Sequence, residues 1–323
     1  MENVPYTFMS EVISLVDISQ LHHNRSLLPF LKLSGQWRHV AEKVDIMTET
    51  SLYFKTLPST NDVVFAFEEN SLWEALKNNQ PSRYYVNEIQ LSTSRPYMRR
   101  RRGLKYHPLN AENTELLRRY LKKNTFPVGL YLCSDWTSEM DPPCGLRLVM
   151  EALRPLLLSI PRLSELCHDL GKHNPSGVEL FRQAVRRGTL TEYVVLRSEA
   201  AFDEDYANLV REFIALRTFR RCNHKIPDLS EDNGSFLTEL IEAWIAREDF
   251  DQYILTVQYR HLPLVKKFMS ENGFRWEERR RIESLRLEEG IFRKESRNVW
   301  VSGKFDDFDS CDLEKIIFRP SLL

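Results

Sequence analysis

Residues 163–196 read LSELCHDLGKHNPSGVELFRQAVRRGTLTEYVVL. A short apolar run, Leu163-x-x-Leu166, gives way to PSGVELFRQAVRRG (175–188), whose apolar positions recur at helical spacing, and then to a second short run, Val194-x-Leu196. The change of period predicts strand, helix, strand. Pro175-Ser176 supplies helix-start chemistry and Gly188 sits where the helix should stop.

The same unit recurs on both sides. Apolar runs occur at Val86-x-x-Ile89-x-Leu91, Leu130-x-Leu132, Phe219-x-x-Cys222, Ile254 within QYILTV, and Ile282-x-x-Leu285-x-Leu287. Their central positions, 89, 130, 166, 194, 222, 254 and 285, are separated by 41, 36, 28, 28, 32 and 31 residues. The intervening segments AENTELLRRYLKK (111–123), GLRLVMEALRPLLLSI (145–160), DEDYANLVREFIAL (203–216), SFLTELIEAWIARE (235–248) and HLPLVKKFMSENG (261–273) read as helices, with Asp203 and Ser235 at candidate starts and Gly273 at a stop. Self-similarity at a period of about 20 to 50 residues marks solenoids. The expected fold class is therefore α/β: a strand–helix solenoid over 83–323, resembling leucine-rich repeats, with parallel strands on the concave side and helices on the convex side. The segments RKESRNVWVSGKF and LEKIIFRP read as extra strands closing the array. A doubly wound α/β domain also alternates strand and helix. It would usually carry a glycine-rich phosphate loop, and with 11 glycines the chain has neither GxGxxG nor GxxxxGK[ST].

Two further segments precede the array. Residues 1–46 form a small helical module, with Val4, Phe8, Val12, Leu15 and Val16 at helical spacing, then Leu27, Leu28, Leu31 and Leu33, and finally Trp37, Val40, Ala41 and Val44. Residues 47–82 form a connecting region, where SLYFKTL and DVVFAF flank the turn-prone Pro58–Asp62 and predict a hairpin.

Composition bounds the function. Lys plus Arg number 45 against 46 Asp plus Glu, which argues against a nucleic-acid binder relying on overall charge, and 42% apolar residues suffice for a core. Five irregularly spaced cysteines suit a reducing compartment, so the cytoplasm or the nucleus is expected, and no apolar stretch approaches a membrane span. The run Arg99–Arg102 reads as a solvated loop, with nuclear import or phosphate contact as the alternative.

Cys167-His168-Asp169-Leu170-Gly171-Lys172 resembles the metal-binding core of HD-domain phosphohydrolases, but the preceding histidine is His107 and the helical partners that the family needs are missing. Cys167, His168, His173, Cys222 and His224 could approach one another between repeats, yet no paired ligand spacing is present, and Cys222 more simply fills a leucine position. No catalytic residue, metal ligand or cofactor is expected.

The N-terminal module resembles a divergent, nematode-type F-box-like protein: Val4-Pro5, Glu11-Val12-Ile13-Ser14-Leu15-Val16, Leu27-Leu28 with Leu31, and Trp37-Arg38-His39-Val40-Ala41 follow that family's order. The resemblance implies a substrate receptor of an SCF-type ubiquitin ligase. The adaptor subunit would contact Val4, Pro5, Val12, Ile13 and Trp37, and the solenoid would hold an unknown protein target. Strand alternation places Gln90, Tyr131, Val195, Asn223 and Arg286 on the target-facing side. The alternatives are an interaction scaffold in which residues 1–46 only cap the solenoid, and, least favoured, the phosphohydrolase.

Overall fold

The computed structural model describes residues 8–9, 12–13, 32, 35–45, 47–57, 62–80, 83–92, 103–133, 144–170, 175–198, 204–224, 231–247, 254–258, 262–282, 287–294, 297–304 and 315–320. The chain is α/β, with mostly parallel strands, and divides into two compact units, Met1–Glu165 and Leu166–Leu323. Among the described residues no helix is long and apolar enough to cross a membrane.

In the first unit, helix α1 (Gln36–Asp45) precedes strand β1 (Thr48–Thr56), which turns back into β2 (Val63–Phe67) as the expected hairpin. Helix α2 (Asn70–Lys77) leads to β3 (Tyr84–Ser92), and the two-residue β4 (His107–Pro108) and α3 (Ala111–Lys123) lead to β5 (Val128–Cys133). Helix α4 (Cys144–Leu157) then leads to β6 (Leu163–Leu170), within which the division between the units falls. β1 pairs parallel with β3, and β3 parallel with β5, so these neighbours follow chain order; β2 pairs antiparallel with β1, and β4 antiparallel with β2.

The registers define two faces. Leu52, Phe54, Phe65, Phe67, Ile89, Leu91, Leu130 and Leu132 share one face and are buried. The helices cover it: Phe65 meets Trp73 of α2 edge-on at 4.7 Å between ring centroids, and Phe67 meets Tyr120 of α3 at 6.1 Å. Burying such rings drives assembly, because each removes a large apolar area from water. Asn110 caps α3 by accepting from the Asn113 amide at 2.8 Å, with Glu112 in the first turn and Lys122 and Lys123 in the last, each complementing the helix dipole.

A separate apolar cluster lies around Tyr85 and Phe126, whose rings stack at 3.9 Å. Met9, Ile13, Val40 and Ala41 pack into it, with Trp37 and Met47 against its edge. The sequence pattern pointed inward through Phe8 and Val12. Instead Met9 and Ile13 are buried, Val12 is half-buried and Phe8 is 51% exposed. Both pairs are four residues apart and both are apolar, so periodicity alone could not choose between them.

In the second unit, α5 (Pro175–Arg187), α6 (Glu204–Ala215), α7 (Glu231–Ile245) and α8 (Leu262–Glu271) alternate with β7 (Glu192–Ser198), β8 (Arg221–His224) and β9 (Ile254–Gln258). β7 pairs parallel with β8, and β8 with β9. Pro175 is the first residue of α5, as expected, whereas Ser235 lies inside α7 rather than at its start. Gly188 (φ +64°) and Gly273 (φ +83°) end α5 and α8 in Schellman motifs. The Gly188 and Thr189 amides donate to the carbonyls of Val185 and Ala184, and those of Gly273 and Phe274 to Ser270 and Met269.

After α8 the topology departs from expectation. Ile282-x-x-Leu285-x-Leu287 is not another parallel strand. Ile282 ends β10 (Arg275–Ile282), Leu287 begins β11 (Leu287–Lys294), and the two stand opposite each other in an antiparallel hairpin. Apolar residues on either side of a tight connection had mimicked one strand, yet four residues are too few for the crossover that a parallel pair requires. β12 (Arg297–Lys304) and β13 (Lys315–Pro320) are the two expected extra strands; they continue the antiparallel meander, and β13 pairs with β9.

Candidate target-binding face

The second face of the first unit's sheet carries polar side chains on β1, β3 and β5, with Tyr53, Ser51, Val64 and Ala66 on it buried. Pairing of Tyr53 with Gln90 and of Gln90 with Tyr131 places these three in one row, and Ser51 with Glu88 in the row beside it. Asn87 is the extra residue of a bulge, because Val86 opposes Thr50 while Glu88 opposes Ser51. Bulges re-aim side chains, and this one separates two carboxylate groupings. On one side Glu49 accepts from the Tyr85 hydroxyl at 3.0 Å and from Asn87 Nδ2 at 2.8 Å. On the other, Glu88 accepts from Gln90 Nε2 at 2.5 Å and from Ser51 Oγ at 3.3 Å. Tyr131 donates to Glu165 at 2.5 Å, which ties β5 to the start of β6.

At the other end of the face, Lys55 lies 3.5 Å from the ring centroid of Tyr106. Partial burial lowers the Lys55 pKa and raises that of the Tyr106 hydroxyl, since each charged form loses water. Glu88, Gln90, Tyr131, Lys55 and Glu165 are half-buried, so they are held by neighbours and still reachable. The arrangement offers hydrogen-bond donors, acceptors and carboxylates on rigid strands, which suits recognition of a polar surface.

Of the residues expected to face a target, Gln90 and Tyr131 stand together in register. Val195 does not join them: it is 2% exposed and shares a face with Tyr193, which stacks on Phe181 of α5 at 3.9 Å. The register pairs Val194, not Val195, with Asn223. Two adjacent valines left the phase of β7 undetermined in the sequence. Arg286 lies outside the described residues, and so do Val4 and Pro5 among the expected adaptor contacts. Ile13 is fully buried in the Tyr85–Phe126 cluster, and Trp37 is half-buried against it. Glu49, Glu88 and Glu165 were not singled out, although Glu88 and Gln90 are two residues apart on a strand and alternation puts both on one face.

His168 and Asp169 are successive positions of β6 rather than helical ones, and successive strand positions belong to opposite faces. Among the described residues no group of three or more His, Cys, Asp or Glu could hold a metal ion. Cys167 and Cys222 are buried free thiols, and burial pushes the Cys222 thiol up to about 12. Beside them the Tyr193 and Tyr206 hydroxyls share a buried hydrogen bond of 2.9 Å, and burial raises both phenols well above their ordinary range.

Comparison of the chain with family models, with curated proteins and with solved structures returns no match.

Proposed function

We propose that this chain is a protein-interaction module in which strand–helix units stack in the manner of leucine-rich repeats and a sheet face receives a protein target. The observation that carries the proposal is the pairing of β1, β3 and β5 in chain order, with Gln90 and Tyr131 in register on the face opposite the helices. Sheets that grow by sequential parallel addition leave one broad strand face clear of crossover helices, and repeat proteins bind through such faces. The test compares the proteins captured from cell extract by wild type and by Gln90→Lys/Tyr131→Glu. Partners specific to wild type should be lost from the variant while its circular dichroism stays unchanged; an identical set of partners would remove the face from the proposal.

A second reading, the adaptor-docking receptor of an SCF-type ligase, is favoured by one feature. Phe8 and Val12 are four residues apart and exposed or half-exposed, while Met9 and Ile13 beside them anchor the segment to the core. A one-turn apolar step on an anchored segment suits docking into a partner's groove. Capture of the SCF adaptor by wild type and its loss in Phe8→Asp/Val12→Asp is the expected outcome. Without capture by wild type, residues 1–46 act as a cap and the chain is a scaffold.

A further inference from the structure

At the edge of the first unit's sheet a histidine ring helps to hold the outermost strand. β4 has two residues, His107 and Pro108, and among the described residues it pairs with β2 alone, His107 opposite Phe65 and Pro108 opposite Val64. Few backbone bonds secure so short a strand, and proline contributes no donor. The His107 ring supplies packing: its centroid lies 5.7 Å from that of Phe65 and 5.4 Å from that of Trp73 of α2, with the planes tilted by 43° and 39°. Uncharged hydrogen bonds add to this. The Leu109 amide donates to the Val63 carbonyl at 3.0 Å, Asn113 Nδ2 to the Pro108 carbonyl at 2.7 Å, and the Lys105 amide to Asn70 Oδ1 at 3.2 Å.

The surroundings of that ring suit a neutral imidazole. β2 brings no charged side chain to it, α2 brings Glu74 and Lys77, and α3 meets β4 through the neutral Asn113. Lys105 belongs to the segment leading into β4. Glu74 is already engaged by Lys77 at 2.8 Å and lies 3.8 Å from Lys105. An imidazolium here would lose water and add a third cation around one carboxylate. Aromatic rings return some attraction to a cation, but the balance falls the other way. Burial first, then Lys105 and Lys77, hold the His107 pKa below its ordinary 6.5 against the pull of Glu74.

We propose that β4 is an acid-released clasp: when His107 takes up a proton, residues 105–109 let go of β2 and leave its outer edge bare at Val64 and Phe65. Linkage fixes the direction. The freed imidazole binds a proton more readily than the clasped one, so release gains as pH falls below 6.5 and is fully favoured once the clasped ring is protonated too. Glu74 does not share in the change, because the hydrogen bond from Lys77 holds its carboxyl below the ordinary 4.5. Opening so small a piece is a local event, and the rest of the sheet keeps its pairing.

The test is amide hydrogen exchange on the full chain at about pH 7.5 and about pH 5.5, read as protection factors corrected for the intrinsic pH dependence of exchange. The Leu109 amide reports the clasp and should lose protection by about threefold or more at the lower pH. The Val128 amide of β5, bonded to the Arg162 carbonyl at 2.9 Å, should keep its own. In His107→Phe, whose ring has no proton to gain, the fall at Leu109 should vanish. Lys105→Gln removes a facing cation at an exposed position and should shrink the fall, which a purely structural role for His107 would not produce. Unchanged protection of Leu109 in wild type overturns the proposal, as does an equal loss at Val128 or an equal fall in His107→Phe. If His107→Phe does not fold, Lys105→Gln decides, and an undiminished fall there overturns the proposal.

Discussion

At the scale of single residues, the buried Tyr193–Tyr206 hydroxyl pair is the place where one atom decides stability. The two hydroxyls share one hydrogen bond of 2.9 Å, one donating and the other accepting, and both side chains are buried. Tyr193→Phe removes the buried bond to the Tyr206 hydroxyl and should cost about 1–3 kcal/mol, whereas Tyr193→Phe/Tyr206→Phe should cost less than the two single changes added together. Denaturant titration of the three variants measures this, and additive losses would contradict it. Cys222 adds a pH dependence. Its thiol rises from an ordinary 9.0 to about 12 in the folded chain, so folding favours the protonated form. The stability gained is complete below pH 9, where the unfolded thiol is also protonated, and declines as pH climbs from there toward 12. Tyr193 and Tyr206 act in the same direction. The urea midpoint of wild type should therefore fall on the alkaline side, and that of Cys222→Val should fall less. At this scale the sequence was partly legible. Cys222 reads as a leucine substitute and is fully buried, because its place in the repeat determines its surroundings. Val194 and Val195 could not be told apart, since identical side chains carry no phase.

Secondary elements were more legible than the faces they present. The helix 111–123 agrees with the apolar spacing residue for residue, and the stops at Gly188 and Gly273 follow from the positive φ that a Schellman turn requires. Gly188→Ala should cost about 1–2 kcal/mol in a chemical-denaturation experiment, all of it backbone strain, because a Cβ there meets nothing within 4 Å. Gly188→Asn should cost less, since asparagine tolerates that conformation, as Asn79 does at φ 51°. The start of α7 was hidden by Asp232-Asn233-Gly234, a loop-like triplet that the structure nevertheless holds in the helix. The β10–β11 hairpin was hidden for a different reason: apolar residues flanking a turn and apolar residues within a strand produce the same string of letters. The polar face of β1, β3 and β5 was half-visible, for alternation gave Gln90 and Tyr131, while the carboxylates that brace them depend on the register between strands and on the bulge at Asn87.

For the whole molecule, the role of residues 1–46 is the decisive question. Met9, Ile13, Val40 and Ala41 cover Tyr85 and Phe126. A chain beginning at residue 46 would expose that cluster, and it should melt at a lower temperature and bind a hydrophobic dye more strongly than the full chain. Phe8→Ser should lower the melting temperature less than Ile13→Ser, because Phe8 is 51% exposed and Ile13 is fully buried. If the truncated chain melts like the full one, these residues serve only an external partner.

The order of pairing also bears on how the protein is made. In the first unit β3 needs only β1, and β5 only β3, so each new strand emerging from the ribosome finds its neighbour already synthesised. β9 is different. It meets β8 at once, but its second neighbour, β13, lies some sixty residues further along the message, so during translation this strand waits with one flank bare while the antiparallel meander is still being spelled out. Stalled or shortened products ending before residue 315 would carry that bare flank permanently, which makes them the species that a cell's quality-control machinery would be expected to meet first.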